Sequence, residues 1–379
     1  MKAMRQARRR EFLKSSMTAA GLAWTARAIS AQEAPAKPAG PPRIKFAAIG
    51  LDHGHITGQC RAVIRGGGEL VSWYAKEDTD VVKSFMKSFP EVKRAKSEQE
   101  ILDDKQVALV ASAGIANERA PLGVRVMKAG KDYMSDKPGL TTLEQLAEVR
   151  KVQKETKRIY SIDYSERLEN KASVAAGELV KAGAIGKVIQ TLGTGPHKMT
   201  PQTRPSWFFK KEQYGGILTD IASHQFDQFL FFTGSTKAEV VASQVGNVHH
   251  PQYPELEDFG DVMLRGNGGA GYIRVDWFTP ESFPVFGDGR LTILGTDGFI
   301  EIRKNIDIGG RERGSHLFLV DKKGTRYIDT NNQELPYGRL LVDDVLNRTE
   351  TAMPQEHCLL AMELAVKAEK NAQRINLTL

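Results

Sequence analysis

The sequence predicts a two-part α/β chain, with a parallel sheet in its first half and an α+β second half built on a large, mostly antiparallel sheet. Three observations carry this. Apolar runs at Ile44–Ile49, Leu70–Tyr74 and Val107–Ala111 alternate with helical patterns at Ile56–Ile64, Asp80–Phe89 and Ala120–Ala129, the spacing of βαβ units. From Ile185 onward the texture changes to strand-like runs separated by turn residues. About 340 residues remain once the amino-terminal segment is set aside, enough for two cores.

In the first half, Thr141 and Glu144 have the spacing of a capping box, opening a helix that runs to about Lys157 and leads into a strand at Arg158–Ile162. In the second half, strands are expected at Lys187–Leu192, Ala238–Val245, Asp261–Leu264, Gly271–Trp277, Leu291–Leu294 and Phe299–Arg303. Gly266-Asn267-Gly268 and Gly295-Thr296-Asp297-Gly298 supply hairpin turns between them. An Ala- and Leu-rich helix over Pro354–Gln373 closes the chain.

The first residues read as a targeting segment. Arg8-Arg9-Arg10-Glu11-Phe12-Leu13-Lys14 has the form of a twin-arginine signal, followed by the mildly apolar Ser15–Trp24 and small residues near Ala31. The expected order is a signal peptide over 1–31, a Pro-rich linker over 32–42, a first domain over 43–163 and a second over 164–379. The expected location is therefore periplasmic or cell-envelope, reached through the twin-arginine export machinery. Residues 1–31 hold seven of the 53 basic residues and one of the 46 acidic ones, so a formal charge of +7 falls to about +1 for the rest. A nearly neutral remainder has no electrostatic reason to bind nucleic acid or an anionic membrane. No later segment has the ~20 apolar residues of a membrane span. Cys60 and Cys358 are too few for a disulfide framework or a metal site, and no metal is expected.

The chemistry-bearing residues fall into two groups. Ile49-Gly50-Leu51-Asp52-His53-Gly54-His55 stands where a strand hands over to a helix, the place of a glycine-rich turn in a Rossmann dinucleotide-binding domain. Of the three spaced glycine positions only Gly50 survives; Asp52 and His55 occupy the others. A carboxylate about 5 Å from a phosphate charge costs on the order of 3 kcal/mol, so Asp52 must point away, be offset by His53 or His55, or signal an altered cofactor pose. The second strand ends in Ala75-Lys76 rather than in an acid, which leaves the choice between NAD and NADP open. Further on, Asp136-Lys137-Pro138 ends a strand, and Gly215-Gly216 leads into a helix carrying Asp220, His224 and Asp227 on one face. A lysine, a carboxylate and an imidazole converging on a cleft suit proton removal from a hydroxyl during hydride transfer.

On these residues the chain resembles the Gfo/Idh/MocA family of oxidoreductases, from Ile44 to the final helix. The resemblance rests on Ala129-Gly130-Lys131 before Asp136-Lys137-Pro138, on Gly215 to Asp227, and on Gly295-Thr296-Asp297-Gly298. It implies that Lys137 contacts nicotinamide and substrate, and that Asp220 and His224 bind and activate the substrate hydroxyl, His224 taking the proton. Gly50, Leu51, Asp52, His53, His55, Ala75, Lys76, Ala113, Gly114, Asp136 and Lys137 are then the cofactor side. Tyr164, Arg167, His197 and Lys198, with Asp220 and His224, are the substrate side, and Glu166 lies among them. The sequence departs from the family where Asp136 replaces a glutamate, where Gly114-Ile115 replaces Thr-Pro, and at the broken glycine turn.

The expected activity is a nicotinamide-dependent oxidoreduction of a sugar, polyol or related carbohydrate by a homo-oligomer. Export of a folded protein into a compartment without a free nicotinamide pool implies a tightly bound NAD or NADP. Two alternatives remain: a redox-cycling glycosidase, lyase or epimerase, and a non-catalytic carbohydrate-binding protein. Export is tested directly by replacing Arg9 and Arg10 with lysine, which keeps the charge; the precursor should stay in the cytoplasm, and normal export would refute the twin-arginine reading.

Overall fold

Six parallel strands make the first sheet of the computed structural model, which describes residues 41–375. The expected twin-arginine segment and most of the Pro-rich linker lie outside the described residues. The strands are β1 (Ile44–Leu51), β2 (Gly68–Tyr74), β3 (Lys93–Arg94), β4 (Val107–Ala113), β5 (Asp132–Asp136) and β6 (Tyr160–Asp163). Their order, β3-β2-β1-β4-β5-β6, reverses between β1 and β4, and such a switch point leaves a crevice at the carboxyl ends of the strands. Helices α1 (His55–Arg65), α2 (Asp80–Ser88), α3 (Glu98–Asp103), α4 (Ala116–Lys128) and α5 (Leu143–Thr156) alternate with the strands. The interior of β1 is apolar and almost wholly buried because parallel sheets are covered on both faces.

Helix starts follow side-chain oxygens. Thr79 accepts from the N–H of Val82, and Ser97 from that of Glu100. At α5 the capping residue is Thr142, one later than expected: its hydroxyl accepts from the Gln145 N–H, and Gln145 Oε1 accepts from the Thr141 N–H. Gln145 thus fills the acceptor role expected of Glu144.

After β6 come α6 (Ser165–Leu168), α7 (Lys171–Lys181), β7 (Val188–Pro196), α8 (Lys211–Tyr214), α9 (Ile217–Asp220) and α10 (Ser223–Thr233). Then follow β8 (Ala238–Gly246), β9 (Phe259–Gly266), β10 (Ala270–Asp276), β11 (Arg290–Gly295), β12 (Phe299–Arg303), β13 (His316–Asp321) and β14 (Gly324–Ile328). The chain ends with α11 (Tyr337–Asn347), α12 (Gln355–Asn371) and β15 (Gln373–Arg374). The nine-stranded sheet runs β14-β13-β12-β11-β7-β10-β9-β8-β15. It is mostly antiparallel, with β7–β10 and β8–β15 parallel. One apolar core runs from β1 through α10 and α12, and a second lies under α7 and β11–β13. Cys60 and Cys358 are buried and unpaired. Among the described residues no helix is long and apolar enough to cross a membrane.

The expected single helix after Gly215-Gly216 is broken in two. Both glycines take positive φ, +90° and +92°, a region costly for other residues. A Cβ on Gly216 would lie 2.1 Å from the Glu369 carboxyl carbon. That carboxylate reaches in from α12 to accept the Leu218 N–H at 3.0 Å, while Glu257 accepts that of Ile217 at 3.1 Å. Lys211 lies between the two acids, pairing with Glu369 at 2.7 Å and also with Glu257.

Burial and the facing Glu257 push the Glu369 carboxyl up to about 8, against the opposing charge of Lys211. A raised folded-state value means that the stability contribution is fully present below pH 4.5 and is lost as pH rises through about 8. Glu369→Gln keeps an acceptor for Leu218 but cannot titrate. The difference in unfolding free energy between wild type and Glu369→Gln should therefore shift in favour of the variant across that interval. A pH-independent difference would contradict the raised Glu369 carboxyl.

Candidate active site

A cavity of about 250 Å³ lies between the two halves, above the carboxyl ends of β1 and β5. The first half contributes His53, Gly54, His55, Ala116, Arg119, Asp136 and Lys137; the second contributes His197, Arg204, Trp207, Phe208, Asp220, Trp277 and Phe286. Lys137 Nζ stands 2.8 Å from Asp220 Oδ1, and the two side chains are only 8% and 11% exposed. The backbone beneath Lys137 is held by Arg119. Its guanidinium donates to the carbonyl oxygens of Gly114 (2.7 Å), Pro138 (3.1 Å) and Lys137, and lies 3.1 Å from Asp136 Oδ2. Although burial opposes the charge, His55 and Arg119 hold the Asp136 carboxyl well below the usual carboxylate range.

His53 and His55 both turn toward Asp136, which removes the option that they offset Asp52. Their Nδ1 atoms lie 3.5 and 3.0 Å from its oxygens, and their rings meet edge to face at 4.1 Å. Asp52 is instead raised by burial and Glu118, with Lys76 and Arg119 partly offsetting.

The crevice at the switch point suits a dinucleotide sterically. Gly50 has φ +73°, and a Cβ there would stand 3.2 Å from the Gly114 Cα, while a Cβ on Gly54 would meet nothing within 4 Å. Gly50, Asp52, Lys76, Gly114 and Arg125 line this crevice together with Glu98 and Glu118, so the glycines leave room for the group while the lining cations Lys76 and Arg125 are paired with acids. The backbone donors differ from a glycine-rich turn. The N–H groups of Asp52 and His53 both donate to Ala113 O, at 3.1 and 2.9 Å. Lys76 is paired with Glu118 at 2.9 Å, Ala75 is buried, and the Leu51 side chain is core.

On the substrate side, the expected residues separate. His197 lines the cavity, and its Nδ1 is 3.0 Å from the Gly195 carbonyl oxygen. That nitrogen must carry the proton, which leaves Nε2 as an acceptor. Burial pushes His197 down to about 4, partly opposed by Glu166, so it is neutral at neutral pH. His224 is not among the lining residues. The break at Ile221–Ala222 between α9 and α10 takes it off the Asp220 face, and it lies buried beside Tyr164 with Nδ1 unpartnered. Burial drives it down to about 3.

Tyr164, Arg167 and Lys198 are engaged elsewhere. The Tyr164 hydroxyl donates to Cys358 O at 3.1 Å, and Lys198 Nζ holds the carbonyl oxygens of Glu281 (2.9 Å) and Phe283. Arg167 forms a buried two-point pair with Asp227 (2.6 and 2.8 Å), which His357 completes at 2.8 Å. Glu166 accepts from Lys304, Gln225 and Gln228; burial opposes its charge, but Lys304 and His224 bring it down to about 2.

Sequence reasoning missed Arg119, Arg204 and the aromatic wall. Arg204 lies over Phe208, Trp277 and Phe286, 4.4, 4.8 and 5.5 Å from their ring centres. The available signal was the cluster Arg204-Pro205-Ser206-Trp207-Phe208-Phe209 in a segment without periodicity, an aromatic and cationic run with no helical or strand face to fill.

Residues 174–301 match the family profile described as the GFO/IDH/MocA C-terminal domain. A solved structure from Erwinia carotovora atroseptica, provisionally named an oxidoreductase, is 46% identical; the match covers 88% of this chain and 100% of that one, with a TM-score of 0.85. D-xylose dehydrogenase of Paenarthrobacter nicotinovorans is 26% identical over 129 residues, 33% of each chain. The scyllo-inositol 2-dehydrogenase (NADP(+)) of Bacillus subtilis is 24% identical over 195 residues, 51% of this chain and 54% of that one. The match thus spans a third to about half the length of these two curated relatives.

Removing Arg167 would leave Asp227 as a buried carboxylate paired only with His357. Arg167→Met should therefore cost about 3–5 kcal/mol of stability. Denaturant unfolding measures this, and an unchanged midpoint would mean that the pair is not structural.

Proposed function

Because the chain belongs to the Gfo/Idh/MocA family of oxidoreductases, we propose that it oxidises or reduces a hydroxyl-bearing carbon of a sugar, polyol or related carbohydrate with a nicotinamide cofactor. The observation that carries this reading is the Lys137–Asp220 pair, closed across the two halves at 2.8 Å inside a cavity of single-molecule size. The xylose and inositol dehydrogenase relatives support the substrate class. Flat aromatic walls from Trp207, Phe208 and Trp277 suit the C–H face of a sugar ring, with Arg204 offering a charged edge.

A dinucleotide would be held by Gly50, Asp52, Gly54, Lys76 and Lys137. When bound, it supplies the hydride acceptor or donor. The chain's own work is on the hydroxyl. Lys137 donates to its oxygen and stabilises negative charge as the proton leaves, which a fixed cation does well in a water-poor site. Asp220 accepts from Lys137 Nζ, keeping the ammonium oriented. We assign the proton acceptor to His197, whose Nε2 is free of the carbonyl bond that fixes Nδ1. His224, buried beside Tyr164, is then a positioning residue.

Two further parts of the reading rest on sequence and surface. The Arg9-Arg10 segment supports export of the folded protein with its cofactor retained. Met263, Tyr272, Leu192 and Thr292 form a cross-strand row on the large sheet. With Met263 53% and Leu192 42% exposed, that face supports self-association.

Lys137→Met and His197→Asn should each lower turnover by about 10²–10⁴, the usual contribution of a positioned proton-transfer group. Cofactor retention should stay near wild type in His197→Asn, and His224→Asn should reduce turnover less. Turnover is measured on pentoses and inositols with NAD and NADP. If His224→Asn is the more damaging change, the acceptor role moves to that residue. A wild-type protein that turns over none of these and releases no dinucleotide on denaturation would refute the proposal.

A further inference from the structure

His53, His55 and Asp136 bring two imidazole nitrogens and a carboxylate oxygen within 4.8 Å of one another. No metal was expected from the two cysteines, and the 81 residues between His55 and Asp136 hide this cluster from the sequence. The His55 N–H points at His53 Nδ1 from 3.4 Å, so that nitrogen presents a lone pair. It faces Asp136 Oδ2 at 3.5 Å, a buried atom that also lies 3.1 Å from the Arg119 guanidinium.

We propose that His53, His55 and Asp136 form a binding site for a divalent first-row transition cation such as Zn²⁺, with its remaining coordination positions open to the cavity. The ligand set is right for this class: two imidazoles and one carboxylate suit borderline cations rather than Mg²⁺ or Ca²⁺. The spacing is also right. Ligands at ~2.0–2.2 Å in a tetrahedral site stand about 3.3 Å apart, and the Nδ1–oxygen separations are 3.0 and 3.5 Å. Arg119, 3.1 Å from Oδ2 and anchored on three carbonyl oxygens, orients the carboxylate from behind, as outer partners of metal ligands do. All three ligand residues line the cavity that contains Lys137, Asp220 and His197. The open positions would take water or an oxygen of the molecule bound there, to which the cation would supply Lewis acidity. The proposal does not depend on the nicotinamide reading.

The test uses the mature protein stripped with a chelator and dialysed. Zn²⁺ titrated by calorimetry should bind at one equivalent per chain, and Co²⁺ should give the intense visible absorption of a low-coordinate site. His55→Ala and the double variant His53→Ala/His55→Ala should weaken Zn²⁺ by at least about 100-fold, more than the loss of an outer partner. Both side chains are partly exposed, so these variants keep the core, whereas Asp136→Asn also disturbs Arg119. No stoichiometric Zn²⁺ binding by wild type, or equal binding by the double variant, overturns the site. So does uptake of inorganic pyrophosphate by metal-free protein that takes up no Zn²⁺ and loses pyrophosphate in the double variant, since the imidazoles would then serve as anion donors.

Discussion

The structure depends on a charge pair that neither half can make alone. Lys137 follows β5 in the first sheet and Asp220 ends α9 in the second half, and together they close the cavity floor at 2.8 Å. Burying both groups carries a desolvation penalty that only good geometry and further bonds offset. Much of the surrounding architecture supplies that geometry. Arg119 ties down the carbonyl oxygens of Lys137 and Pro138, and Glu257 and Glu369 hold the amides that start α9. The double glycine leaves room for the Glu369 carboxylate where any side chain would collide with it. Stability is thereby given up, in the form of a raised Glu369, to fix the direction of Asp220.

How much of this the sequence discloses depends on whether the signal is local. Alternating apolar runs and helical patterns specify the order of β1, β2, β4, β5 and β6 because each element's period is written in its own residues, whereas the exposed two-residue β3 carries no apolar run. Strands β13 and β14 were not foreseen, since Arg- and Lys-rich stretches such as Lys322–Arg326 mask alternation on a sheet edge. The capping residue moved from Thr141 to Thr142 because Gln145 reaches back as well as Glu144 would, a competition that spacing alone does not rank.

The site shows the same division more sharply. Lys137 and Asp220 were legible because strand ends and glycine turns mark where side chains meet a cleft. His224 was misplaced relative to Asp220 because the intervening Ile221–Ala222 interrupts the helix, and i, i+4 geometry holds only within one helix. Arg167 looked like a substrate contact only because its partner, Asp227, lies 60 residues away. The pairing of His53 and His55 with Asp136 was hidden for the same reason, and it changes the meaning of the broken glycine turn. The turn has lost free backbone N–H groups to Ala113 O, and it has gained two imidazoles aimed at a buried carboxylate.

The central claim is that Lys137 and Asp220 act as one unit on the substrate oxygen, and a double-mutant cycle on turnover tests it most directly. With Lys137→Met, Asp220→Asn and the double variant compared on one substrate, the account predicts strong non-additivity, because residues that act together lose their function together. The double variant should be little slower than the worse of the two single variants. Multiplicative losses, each residue contributing its full factor independently of the other, would contradict the account.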